Sequence, residues 1–141
     1  VLPSFRTFVA MRHVAVGILV DHGRVLICQR KKGARYGLKW EFPGGKFEEG
    51  EQAEACLRRE LHEELSITVG PIGKMEVEVS HYDDGGMFQV HYCYVTEFFG
   101  ALVNNVFEDV RWVTPEKLQS LDILQGNRGI VQRLIASRFA L

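Results

Sequence analysis

The chain has 141 residues, 46% of them hydrophobic and 25% charged, with a formal net charge of −1. That length suits one domain with a real core, and the charge balance excludes the basic face of a protein that lives on a nucleic-acid backbone. No run approaches the ~20 apolar residues of a membrane helix, and Cys28, Cys56 and Cys93 are scattered without C-x-x-C spacing, which argues for buried thiols and a cytoplasmic setting over a disulfide framework or zinc site.

A single domain over 1–141 is expected, with residues 1–11 read as an N-terminal extension. They hold one arginine, Arg6, and no lengthy apolar block, which makes a poor signal peptide, and Met11 stands where an alternative start would fall. In chain order, Arg12 to Val20 is apolar and rich in β-branched residues, which predicts a strand. Asp21-His22-Gly23 is a turn signal, and Arg24 to Arg30 reads as the second strand of a hairpin. Lys31 to Lys39 is basic and contains glycine, so a loop is expected. Trp40 to Phe42 reads as a short strand stopped by Pro43-Gly44-Gly45.

Glu51 to Leu65 has no Pro or Gly and is rich in Ala, Leu, Glu and Arg, a helical composition. Leu57, Leu61 and Leu65 give it one apolar stripe. Met75 to Ser80 and Met87 to Phe99 read as two long strands around Asp83-Asp84-Gly85-Gly86, and Val110 to Val113 as a short one. Thr114-Pro115-Glu116 matches N-cap, first-position and first-turn preferences and predicts a brief helix. Asn127 to Phe139 closes the chain as an amphipathic helix with Ile130, Leu134 and Ile135 on one face. Strand hairpins with helices inserted between them imply an α+β or mixed α/β sandwich.

Chemistry concentrates in the central helix. Glu60, Glu63 and Glu64 are spaced to share one helical face, where like charges repel unless a cation neutralises them. Hard divalent cations prefer carboxylate oxygens, and magnesium commonly bridges carboxylates and substrate phosphates. Just upstream, Pro43-Gly44-Gly45-Lys46 offers glycines that let backbone approach an anion or a metal without an intervening Cβ. Arg59 can hold neighbouring carboxylates through its planar fork, and Glu51 lies near the helix start, where negative charge is favourable. Taken alone, the acidic face also reads as a solvated surface.

Gly45, Glu51, Arg59, Glu60, Leu61, Glu63, Glu64 and Ile67 match the box G-x5-E-x7-R-E-U-x-E-E-x-G-U, U being a bulky aliphatic. The chain resembles the Nudix hydrolases, and within them MutT-type enzymes. Trp40 to Lys46 is similar to the segment before their box, His13 to Gly17 to their first strand, Leu26 to Arg30 to the next, and Asn127, Arg128 and Ile130 to the start of their last helix. The departure is Ser66, where the family has a glycine that ends the helix; an adjusted helix exit with intact metal ligands is expected.

The resemblance implies an α/β/α sandwich, with a mixed β-sheet between helices, and a magnesium-dependent hydrolase in which manganese can substitute. Glu60, Glu63 and Glu64, with the Gly44 carbonyl, are the implied metal ligands, and Arg59 and Glu51 orient them. The implied chemistry is attack of metal-activated water on a phosphorus of a diphosphate. The general base is either a box glutamate or a later carboxylate, Glu108 first and Asp109 second. Arg30 at a strand end, Gly45 and Lys46 are implied on the phosphate side. Asn127 is implied as a reader of the base edge, its alternative use being an N-cap.

Some MutT proteins carry a base-side arginine in the strand pair after the box; here that stretch reads His81-Tyr82-Asp83-Asp84-Gly85-Gly86-Met87. His81 and Tyr82 read as strand packing, with stacking on a base as the alternative. His13, His22, His62 and His91 have no metal-site spacing, and His62 points away from the glutamates' face. A P-loop fails because Trp40 stands where its first glycine belongs and Phe47 follows Lys46. A nucleotide-sensing module without catalysis usually loses box glutamates, and this chain keeps them.

The expected partner is a small nucleotide, with no nucleic-acid polymer and no membrane; the sequence sets no oligomeric state. A nucleoside triphosphate, cut to monophosphate and pyrophosphate as in clearance of 8-oxo-dGTP, is the first expectation. CTP, ADP-ribose and dinucleoside polyphosphates are the alternatives.

Overall fold

The computed structural model describes residues 11–139; the expected N-terminal extension, apart from Met11, lies outside them. Its hub is β1 (Arg12–Asp21), whose β-branched and apolar residues suit a strand buried on both faces. Along one edge β1 runs parallel to β7 (Met87–Val95), in register from Arg12↔Phe88 to Leu19↔Val95. Its other edge is divided. Val14 to Val16 pair antiparallel with β4 (Gly44–Lys46), and Val20 and Asp21 pair with β2 (Arg24–Gln29). Beyond β7 lies β6 (Ile72–His81), antiparallel to it, while β2 carries β3 (Trp40–Glu41) and β9 (Asp109–Val113). The result is a 7-stranded mixed sheet.

Helices cover both faces, as expected for the α/β/α sandwich. On one face α1 (Ala53–Leu65) lays Leu57, Leu61 and Leu65 onto Ala15, Leu19, Leu26 and Cys93. On the other, α2 (Pro115–Gln119) and α3 (Arg128–Ala136) set Leu118, Ile130, Val131 and Leu134 against Ile18, Ile27 and Tyr92. Burial of such side chains contributes about 1.5–3 kcal/mol each, so the two cores fix the sheet between its helices. All three cysteines are free and buried, and burial pushes the Cys56 and Cys93 thiols up to about 11, as inert thiols require. No helix among the described residues is long and apolar enough to cross a membrane.

Several boundaries differ from the sequence reading, each for a local reason. Gly44-Gly45 does not merely stop a strand; it forms β4, because a Cβ at Gly44 would strike the Ala15 carbonyl and only glycine brings the chain this close. Gly44 also sits at φ 151. The helix begins at Ala53, two residues after Glu51, with Gln52 as an N-cap that makes no side-chain bond. The stretch Met87 to Phe99 is broken after Val95: β8 (Phe98–Phe99) leaves the main sheet and pairs with β5 (Thr68–Val69). The last helix starts at Arg128, after a 3-10 turn over Gln125–Asn127.

The exit of α1 keeps the glycine geometry without the glycine. Ser66 adopts φ 60, ψ 27 and its N–H reaches the His62 carbonyl at 3.0 Å. A left-handed residue with a Cβ costs about 1–2 kcal/mol. Neighbouring groups offset part of it: Asn105 donates from its side chain to the Ser66 hydroxyl at 2.9 Å and to the Glu63 carbonyl at 3.0 Å, and its backbone N–H caps the Glu64 carbonyl. The carboxylate face therefore survives the substitution.

Candidate active site

α1 presents Glu60, Glu63 and Glu64 toward β4, because its leucine stripe faces the sheet and fixes the helix's rotation. Gly45 has no room for a Cβ, which would overlap the Glu60 carboxylate. The Gly44 N–H donates to Glu64 Oε1 at 3.0 Å. Glycine turn and acidic helix thus form one unit. Glu63 is the outer member, with more than half of its side chain exposed, and His62 is exposed, off this face.

Arg59 holds the unit together. It donates to both Glu51 oxygens at 2.8 and 2.9 Å, to Glu60 Oε1 at 2.8 Å, and to the Lys46 carbonyl at 3.1 Å. Such charge-assisted, forked bonds are the strong ones. The guanidinium, with the Glu48 backbone N–H, holds the Glu51 carboxyl down at about 2. Glu64 goes the other way: burial, then the neighbouring Glu60 charge, push its carboxyl up to about 9, against the pull of the Gly44 N–H. Glu60 has the Arg59 guanidinium beside it, but among the described residues no cation pairs with buried Glu64.

A hard divalent cation fits that deficit. The donors are all oxygens, Gly44, Gly45 and Glu64 line a cavity, and Arg59 fixes Glu60 without reaching Glu64. Among the described residues no three acidic, histidine or cysteine side chains are grouped so as to hold a metal ion, so Glu60, Glu63 and Glu64 do not converge as the three ligands expected from the box. Magnesium needs only one or two carboxylates, with waters and substrate phosphate completing its shell, which Glu64 and Glu60 can supply.

The turn and Glu64 line one end of a cavity of about 370 Å³. Of the substrate-side residues expected from sequence, Arg30, Gly45, Lys46 and Asn127 all line it. Arg30 is already engaged: it donates to the Glu41 carboxylate at 3.0 and 3.2 Å and to the Arg35 carbonyl at 2.7 Å. Asn127 is buried, and its Oδ1 accepts from the Phe42 N–H at 3.3 Å. It makes no side-chain cap on α3, which removes the capping alternative. Glu108 is exposed on the loop before β9, its carboxylate on the Lys32 N–H at 3.4 Å. The cavity walls take Val106 and Phe107 from that loop but not Glu108.

Sequence reasoning missed other residues of the lining. Glu41 lines the cavity beside Arg30, and burial raises its carboxyl despite that partner. Val14, Val16, Phe88 and Val90 supply an apolar floor. Tyr82, read as strand packing, lies in the wall between Tyr36 and Phe88, with ring centroids 5.1 and 5.3 Å away. A Cβ at Gly126 would collide with the Tyr82 ring, so that glycine admits the tyrosine. Alternation on β1 and β7 was the available signal for the floor; nothing local marked Tyr36, and Tyr82 takes the place its stacking alternative allowed.

Comparison with known proteins agrees with this geometry. The NUDIX domain model matches residues 11–134. A nucleoside triphosphatase NudI from Enterobacter sp. (strain 638) is 32% identical over 132 residues, covering 83% of this chain and 92% of that protein. An 8-oxo-dGTP diphosphatase from Proteus vulgaris is 48% identical over 58 residues, a match spanning 40% of this chain and only 52% of the relative. A solved MutT structure from work on Aliivibrio salmonicida and Vibrio cholerae superposes with a TM-score of 0.73 at 29% identity, covering 91% of this chain and 99% of that one. With the glycine turn seated on the box glutamates, the chain belongs to the Nudix hydrolase family, as an enzyme of MutT-like form.

Proposed function

We propose that the chain hydrolyses a nucleoside triphosphate to nucleoside monophosphate and pyrophosphate with Mg²⁺, in the manner of nucleotide-pool sanitation, with 8-oxo-dGTP or a related (d)NTP as substrate. The observation that supports it is the cavity itself: one space is lined both by Gly44, Gly45, Lys46 and Glu64, which suit a metal-bound phosphate, and by Tyr82, Phe88 and Asn127, which offer aromatic faces and an amide. The names of the relatives, nucleoside triphosphatase and 8-oxo-dGTP diphosphatase, point the same way.

In this reading Glu60, Glu63 and Glu64, with the Gly44 carbonyl, hold the metal. The ion supplies Lewis acidity toward phosphate oxygens and acidifies water. The chain's own residues do the rest. Arg59 keeps Glu60 oriented, and Glu51 keeps Arg59 oriented. Lys46 faces the phosphates. A water oxygen bonds to phosphorus, the bridging P–O bond breaks, and the water's proton passes to a box glutamate. Glu108 is the second choice of base, since it stands outside the cavity walls. Asn127 and Tyr82 hold the base.

The test is product analysis after incubation with Mg²⁺ and 8-oxo-dGTP, dGTP, CTP, ADP-ribose or a dinucleoside tetraphosphate. Monophosphate and pyrophosphate from a triphosphate, fastest for the oxidised guanine nucleotide, support the proposal. Turnover of ADP-ribose or the dinucleotide alone overturns the substrate, and binding without turnover overturns hydrolysis.

A further inference from the structure

His13 and His91 carry no metal-site spacing along the chain, being 78 residues apart. The parallel pairing of β1 with β7 brings them to one face of the sheet. His13 Nδ1 stands 3.4 Å from His91 Nε2, with the ring planes 39° apart. Phe47, the residue after β4, packs on both rings, at 5.6 Å from His13 and 4.9 Å from His91.

The geometry points to a second metal site: we propose that His13 and His91 chelate one divalent transition ion of the zinc class. Two imidazole nitrogens bound to one tetrahedral Zn²⁺ at about 2.0–2.1 Å stand roughly 3.3–3.4 Å apart, by the edge of that tetrahedron. The two nitrogens, within hydrogen-bond reach of each other with no ion between them, already have this separation. Imidazole selects borderline ions such as Zn²⁺, Cu²⁺ and Ni²⁺ over Mg²⁺, which seeks oxygen.

No third acidic, histidine or cysteine side chain among the described residues joins the pair. The remaining two positions would be taken by water or a small exogenous ligand, one more than in the three-ligand open sites of zinc enzymes. The chain would thus carry two metal sites of different hardness, the oxygen-lined one on α1 and a nitrogen one across β1 and β7. Phe47 lies against the second and follows directly on Lys46 of the first. An ion on the histidines would therefore pin the end of β4.

The test is calorimetric titration of the purified chain with Zn²⁺ in saturating Mg²⁺, so that the carboxylates are occupied. The comparison is among the unaltered chain, His13→Gln, His91→Gln, and the combined Glu60→Gln, Glu63→Gln, Glu64→Gln variant. Thermal melts confirm that each variant folds. The expected result is a single Zn²⁺ equivalent that persists in the glutamate variant and is lost in both histidine variants, with imidazole ¹⁵N shifts confined to His13 and His91. Zinc binding that survives His13→Gln, that vanishes with the glutamates, or that is absent from the unaltered chain would overturn the proposal.

Discussion

Two parts of the cavity lining are built in opposite ways. The part proposed to hold the metal, or metal end, comes from one turn and one helix close together in sequence, Gly44 to Lys46 and Arg59 to Glu64, cross-braced by Arg59. The part proposed to hold the base, or base end, gathers Tyr36, Tyr82, Phe88, Val90, Leu124 and Asn127 from distant segments and is held by packing and single hydrogen bonds. A constellation that must hold charges in fixed relative positions gains from a short, stiff span of chain. A pocket wall that must fit one base gains from loops that change independently.

The sharpest break of this comparison is at the metal end. Glu64→Gln keeps size but removes the capacity to ionise next to Gly44, and the expected loss in kcat is on the order of 10³-fold, with nucleotide binding retained by calorimetry. Gly45→Ala pushes on the Glu60 carboxylate; a loss of about 10–100-fold in Mg²⁺ affinity or activity is expected, the scale for groups that orient ligands, read from a Mg²⁺ titration of the rate.

The base end responds differently. Tyr82→Ala or Asn127→Ala should lower kcat/KM by one to two orders of magnitude, the scale of about 1–3 kcal/mol for a base contact. The change should fall mainly on KM and should alter the ranking among bases; equal losses for every base would place both residues in the scaffold alone. Glu108→Gln, outside the cavity walls, should cost well below the roughly 10²-fold of a lost general base, and a larger loss that flattens the pH–rate profile would move the base to that loop.

The smallest effect is structural. Ser66→Gly relieves a left-handed residue worth about 1–2 kcal/mol but forfeits the Asn105 bond worth about 1 kcal/mol. A net gain of about 0–1 kcal/mol in denaturant unfolding is expected, with activity unchanged.

The same contrast governs what could be read in advance. The box residues are a linear pattern, so the carboxylate face, Arg59 and the glycine turn were legible, as was the layered fold, because leucine periodicity and β-branched runs report burial directly. Glu41 and Tyr36 were not legible, and Tyr82 was legible only as the second of two uses, since each acquires its place from pairing or loop contacts formed by residues far away in sequence. Arg35 and Tyr36, for example, reach Asp84 across the cavity mouth, and no local composition encodes that meeting. Asn127 stood between two uses until its amide was seen on Phe42 instead of on its own helix.

That the glycine turn and the acidic helix form one divalent-cation centre is open to direct test by Mn²⁺ titration of the ¹⁵N-labelled chain. Paramagnetic broadening should begin at Gly44, Gly45, Glu60, Glu63 and Glu64 and should disappear in Glu64→Gln. Broadening that starts elsewhere, or that persists unchanged in that variant, would contradict the assignment.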